Sequence, residues 1–123
     1  MKFYYNDQLM RTSKNHNYTH AVIIENEQGI RCYGCHKDAK GCEAEINRAI
    51  NECNRGIDNA NEALMALAAG KDGYYAKDGR NRRWFTKFTS KSTVEFYNDW
   101  INDNMAHIDR VRRTWKVVEL EAR

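Results

Sequence analysis

The chain has 123 residues, of which 41% are hydrophobic and 30% charged, with four cysteines and no proline. That length fits one domain spanning residues 1–123 with one modest core. The composition excludes a disordered chain, and no stretch approaches the ~20 apolar residues of a membrane helix. Net charge is +3, but unevenly spread: residues 71–91 hold seven basic and two acidic side chains. A local excess of that kind suits an anionic partner, and it equally suits a solvated loop.

The opening Met1-Lys2-Phe3-Tyr4-Tyr5-Asn6-Asp7 lacks the apolar run of a signal peptide. The expected location is therefore the cytoplasm, with Cys32, Cys35, Cys42 and Cys53 as reduced thiols. Lys2–Tyr5 and Gln8–Arg11 read as strands on either side of an Asn6-Asp7 turn. Thr19–Glu25 is rich in β-branched residues and reads as a strand, Asn26–Gly29 as a turn, and Ile30–His36 as the returning strand. Between the second and third of these strands, Arg11–Tyr18 is polar and rich in hydrogen-bonding groups; it is a surface loop or the rim of a site, and a surface loop is expected.

Residues 38–69 read as one long central helix. Ile46, Ile50, Cys53, Ile57, Ala60, Leu64 and Leu67 are spaced alternately by four and three, a repeat of 3.5 residues. Gly56 weakens the helix by up to ~1 kcal/mol without ending it, and Gly70 is a natural stop. Such a helix is about 48 Å long, against a radius of gyration of roughly 14 Å for a compact chain of this size. Short strands cannot cover so long a seam, so homo-oligomerisation through Ile46, Ile50, Cys53, Ile57, Leu64 and Leu67 is expected. A helix broken near Gly56 into two packed halves is the competing reading. The neighbouring polar row of Asn47, Asn51, Asn54, Asp58 and Asn61 reads as a solvated flank.

Residues 74–88 read as a hairpin or ordered loop with Asp78-Gly79 as its turn and a basic tip. A second helix is expected over 93–111, opened by a Ser92/Glu95 capping box. Its apolar face would be Val94, Tyr97, Ile101, Met105 and Ile108, with Arg110, Arg112 and Arg113 near its C-terminus. Residues 114–120 read as a final strand that returns to the sheet. The fold class is thus α+β: an N-terminal antiparallel sheet, one long central helix, a second C-terminal helix and a final strand.

Cys32-Tyr33-Gly34-Cys35-His36 matches the attachment pattern of a c-type haem, but it lies on a strand and no export signal precedes it. Zinc held by Cys32, Cys35, His36 and Cys42 is the other reading of these residues; small apolar core cysteines are the simpler one. No metal or cofactor is therefore expected. The four histidines are scattered, and neither a phosphate-binding glycine loop nor a nucleophile elbow occurs, so no enzyme is expected. Glu95, Asp99 and Asp103 read as a solvated helix face. What remains is two basic-aromatic clusters: Arg80, Arg82, Arg83, Trp84 and Phe85, and Arg110, Arg112, Arg113 and Trp115. Arginine forks grip phosphate oxygens and aromatic faces stack bases, so the pair of clusters fits a protein that holds a phosphate-bearing nucleotide. The alternative assigns the aromatic rings to the core and the arginines to solvent.

In size, element order and the segments Arg80–Phe85 and Arg110–Trp115, the chain resembles the first-described family of phage proteins that defeat the bacterial Thoeris system. The resemblance implies a compact oligomer in the host cytosol that sequesters a cyclic ADP-ribose-type or cyclic nucleotide signal without degrading it. It implies that Arg110 and Arg113 hold phosphates and that Trp84 or Phe85 stacks on the base, with Arg83 beside them. A small protein-binding inhibitor of a host defence nuclease, of the anti-CRISPR kind, is the alternative. Non-specific nucleic-acid binding is a third reading, against which a net charge of only +3 counts, and no specific nucleic-acid partner is expected.

Overall fold

A computed structural model of the chain describes residues 1–78 and 83–123, and for Arg83 the backbone alone. The described elements run β1 (Lys2–Tyr5), β2 (Gln8–Thr12), β3 (His20–Asn26), β4 (Gly29–His36), α1 (Ala39–Ala68), β5 (Gly73–Lys77), β6 (Arg83–Lys87), α2 (Val94–Thr114), β7 (Trp115–Glu119) and β8 (Glu121–Ala122). The fold is α+β, with every strand pairing antiparallel. The chain divides into two compact units, Met1–Ala49 with Arg110–Arg123 and Ile50–Asp109. No helix among the described residues is long and apolar enough to cross a membrane.

The first unit holds two three-stranded sheets, ordered β2-β1-β8 and β4-β3-β7. Asn6 and Asp7 both have positive φ, 53° and 62°. That is the backbone of a two-residue turn whose twist matches its strands, and Asn and Asp are the non-glycine residues that tolerate it best. β3 is the central strand of its sheet, and Ala21, Val22, Ile23 and Ile24 are all buried. An unbroken apolar run is what a strand covered on both faces requires. The strand expected over 114–120 does return to a sheet, as β7, with Trp115 opposite Ile24 and Glu119 opposite His20.

The β3–β4 ladder slips by one residue. Val22 faces Gly34 while its neighbour Ile23 faces Cys32, so Tyr33 is an extra residue on β4. This β-bulge changes the alternation of β4. Ala21 and Ile23 lie two apart on a regular strand and so share a face; their partners Cys35 and Cys32 therefore share one too. Without the bulge, residues three apart would point to opposite sides.

α1 is capped by Asp38, whose carboxylate accepts the Gly41 amide at 2.7 Å. It runs on without a break at Gly56 for 30 residues, two fewer than the spacing predicts. It closes on Gly70 at φ 70°. There the Lys71 amide donates to the Ala66 carbonyl at 3.0 Å and the Gly70 amide to that of Leu67 at 3.1 Å. This paired closure needs a left-handed residue, which glycine supplies at no steric cost.

In the second unit, Ala60, Ala63 and Ala66 of α1 form a buried cluster with Tyr74 and Ala76 of β5 and Tyr97 of α2, and Leu64, Leu67, Phe88, Trp100 and Ile101 pack against it. The small α1 side chains leave room for the tyrosine rings, and Tyr74 meets Tyr97 edge-on at 5.9 Å. Burial pushes the Tyr74 hydroxyl up to about 12. Asn59 ties β5 to α1: its side-chain amide donates to the Lys77 carbonyl at 2.9 Å and its oxygen accepts the Lys77 amide at 2.7 Å. The five residues of the polar row, Asn47, Asn51, Asn54, Asp58 and Asn61, are all exposed.

α2 departs from expectation at both ends. Its cap is Thr93, whose hydroxyl accepts the Phe96 amide at 3.1 Å, and not Ser92. The Ser92 hydroxyl instead accepts the Thr89 amide at 2.9 Å, closing the turn before the helix. At the far end α2 continues to Thr114 and so takes Arg112 and Arg113 into its last turn. Val94 and Met105, expected on its apolar face, are both exposed.

Candidate functional site

β5 and β6 pair so that Tyr75 stands directly opposite Phe85 and Ala76 opposite Trp84. Side chains alternate along a strand, so Tyr75 and Phe85 share one face of the hairpin and Trp84 lies on the other. The Tyr75 and Phe85 rings meet edge to face at 5.9 Å. They nonetheless remain 59% and 46% exposed. At Gly73, a Cβ would run into the Thr86 carbonyl oxygen, so only glycine lets the strands close at the end of the hairpin nearest α1.

Beside this aromatic pair lies a hollow of about 240 Å³, lined by Tyr75, Phe85, Met65, Ala69, Glu62 and Lys71 among others. The volume is below the roughly 300–1,000 Å³ of pockets that enclose a small ligand. A hollow of that volume is open to part of a ligand at most. Lys71 supplies a cation at the rim, while Glu62 opposes it. Two other hollows offer less to a nucleotide. One, about 410 Å³, is lined on α2 by Phe96, Trp100, Asp99 and Asp103, whose carboxylates repel phosphate. The other, about 380 Å³, lies at the β3–β4 turn with Asn26, Gln28 and Arg31 and has no aromatic wall.

The residues expected to bind are thus distributed. Phe85 lines the hollow and Trp84 does not; Trp84 is 47% exposed on the opposite face. The expected Asp78-Gly79 turn and the basic tip with Arg80 and Arg82 fall on Gly79–Arg82, outside the described residues, as does the side chain of Arg83. Arg110 and Arg113 belong to the first unit, exposed and one helical turn apart on α2. Cations at that end also stabilise the helix itself through its dipole. Trp115 of the second basic cluster packs on Tyr33, ring centres 4.3 Å apart. Tyr75, Met65 and Lys71 were not legible as site residues. Tyr75 could have been found only by fixing the hairpin register, which pairs it with Phe85.

The expected oligomer seam is partly occupied by the chain's own residues. Cys53 and Ala60 are buried, and Leu64 and Leu67 pack on the alanine–tyrosine cluster of the second unit. Ile46, Ile50 and Ile57 are half-buried. A hairpin and a second helix thus cover part of a seam that short strands could not.

At the cysteine motif, the Cys32 and Cys35 sulfurs are 3.6 Å apart. The His36 imidazole pairs with the Glu45 carboxylate of α1, and the Glu45 oxygens lie where a side chain at Gly34 would begin. Among the described residues no group of three or more His, Cys, Asp or Glu side chains is arranged to hold a metal ion. The Cys32 thiol is lowered to about 7, chiefly by its hydrogen bond with Cys35 and further by the Arg11 charge. The Cys35 thiol is raised by the same bond and by burial. Cys42, fully buried, is raised to about 11, mainly by desolvation.

No protein-family model, curated protein or solved structure matches this chain.

Proposed function

We propose that the protein binds a phosphate-bearing nucleotide, of the cyclic ADP-ribose or cyclic nucleotide class, and sequesters it without cutting it, as an anti-defence protein of the phage type. The observation that carries this reading is the Tyr75–Phe85 pair, two large rings left exposed beside a hollow of about 240 Å³ that Lys71 also lines. A base stacked on such a wall contributes about 1–3 kcal/mol. Arg110 and Arg113, which belong to the first unit, are a separate candidate for holding phosphate, each charge-assisted hydrogen bond contributing roughly 1.5–3 kcal/mol. The reading needs no general acid or base.

The test is recovery of the ligand. The protein is incubated with a cyclic ADP-ribose isomer, the filtrate is assayed for depletion, and the protein is denatured to release what it held. The expected product is the original molecule. Phe85→Ala and Tyr75→Ala are each expected to weaken capture by roughly 5–150-fold, and Arg113→Ala by roughly 10–150-fold, with circular dichroism unchanged. A hydrolysed product would make the protein an enzyme, and an undepleted filtrate would remove the nucleotide reading. The alternative, a protein-binding inhibitor, draws on Val94, Phe96 and Met105, which α2 leaves exposed. Retention of a protein instead of a nucleotide would favour it.

A further inference from the structure

The β4 bulge does something that neither packing nor nucleotide binding requires. It turns Cys32 and Cys35, three residues apart on a strand, onto one face with their sulfurs 3.6 Å apart. A disulfide needs about 2.04 Å between the sulfurs, so closure asks the two sulfurs to approach by roughly 1.5 Å. Both side chains are half-buried, so solvent reaches them, whereas the neighbouring Cys42 is fully buried. Cys53 belongs to the other compact unit.

We propose that Cys32 and Cys35 form a thiol–disulfide exchange site for low-molecular-weight disulfides, with Cys32 as the attacking thiol and Cys35 as the resolving thiol. The Cys32 thiolate attacks one sulfur of a disulfide RS–SR, forming a Cys32–SR mixed disulfide and releasing RS⁻, which takes up a proton. The Cys35 thiol then loses its proton and attacks the Cys32 sulfur, forming the Cys32–Cys35 disulfide and releasing the second RS⁻. Two protein thiols are oxidised, one external disulfide is reduced to two RSH, and the protons lost by the cysteines are those gained by the leaving thiolates. This assignment is independent of the nucleotide reading.

The division of roles follows from the surroundings. The hydrogen bond from Cys35 and the Arg11 charge favour the thiolate at Cys32, against an opposing effect from Glu45 and burial. At neutral pH a thiol near 7 is about half ionised, against roughly one hundredth for one at the ordinary value of 9.0. After allowing for the lower nucleophilicity of the more acidic thiol, Cys32 should attack roughly sixfold faster than an unperturbed cysteine. Cys35, raised by the same contact, stays protonated until the mixed disulfide removes the Cys32 charge.

The experiment treats the fully reduced protein with glutathione disulfide, quenches with acid and measures intact mass and disulfide-linked peptides. The native chain is expected to become lighter by two hydrogens, with Cys32 linked to Cys35 and no retained glutathionyl group. Cys35→Ser is expected to accumulate one glutathionyl group on Cys32. Cys32→Ser should react roughly sixfold more slowly, or less readily still. A native chain that keeps glutathione on Cys32, links either residue to Cys42, or stays reduced while free cysteine is oxidised overturns the proposal. The native-chain result decides the matter even if a variant fails to fold.

Discussion

Gly56 shows how one residue can answer to a neighbour rather than to its own helix. In mid-helix, glycine costs about 1 kcal/mol relative to alanine, yet α1 passes through it unbroken. A Cβ there would stand 3.0 Å from the Asn104 side chain of α2, closer than ordinary contact. That side chain is itself held, its amide donating to the Trp100 carbonyl at 2.9 Å. Glycine thus lets the Asn104 amide lie against the α1 backbone. Gly56→Ala should therefore stabilise the protein more in an Asn104→Ala background than in the parent, by about 0.5–1 kcal/mol in a double-mutant cycle. Strict additivity in urea denaturation would remove Asn104 as the reason for the glycine.

Among the elements, the β5–β6 hairpin depends on a side chain with no distinguishing mark in the sequence. Asn59 sits beside the repetitive asparagine row of α1 but outside it, and it makes a two-way bond to a strand, at Lys77. Asn59→Ala removes both bonds and leaves the Lys77 amide and carbonyl with no protein partner there. The expected cost is about 1–3 kcal/mol, read as a lower urea midpoint at unchanged slope, with faster exchange of the Lys77 amide. An unchanged midpoint would show that the hairpin is held by its apolar face alone. The bounds of β1 and α1 were legible because turn and stop residues announce them: Asn6-Asp7 for the first, Gly70 for the second. The α2 cap was not, since Ser92 and Thr93 are adjacent hydroxyls and the choice falls to the Thr89 turn, which takes Ser92. In the candidate site, Phe85 was legible by its company of arginines. Tyr75 was hidden because its role depends on cross-strand register. The Cys32–Cys35 contact was hidden because it requires a bulge, and nothing in Cys-Tyr-Gly-Cys marks where the extra residue falls.

For the whole molecule, the number of copies that act together turns on α1. Self-association through α1 remains our proposal, now narrowed to the half-buried Ile46, Ile50 and Ile57, because Leu64 and Leu67 already pack on the chain's own core. Light scattering of the purified chain is expected to give a multiple of 14.5 kDa, and Ile57→Glu to reduce it, whereas Leu64→Glu should chiefly destabilise the fold. A single-chain mass for the native protein would remove the proposal. The tryptophans add an optical consequence. Trp115 lies 4.3 Å from Tyr33 in the first unit, while Trp84 is exposed and Trp100 is packed on the core in the second. Excitation of tyrosine will pass to Trp115 from Tyr33 and to Trp100 from Tyr97, whose ring centre is 5.9 Å away, and a collisional quencher such as iodide will reach Trp84 first. The part of the intrinsic fluorescence that iodide quenches most readily therefore reports on the second unit, with no dye attached.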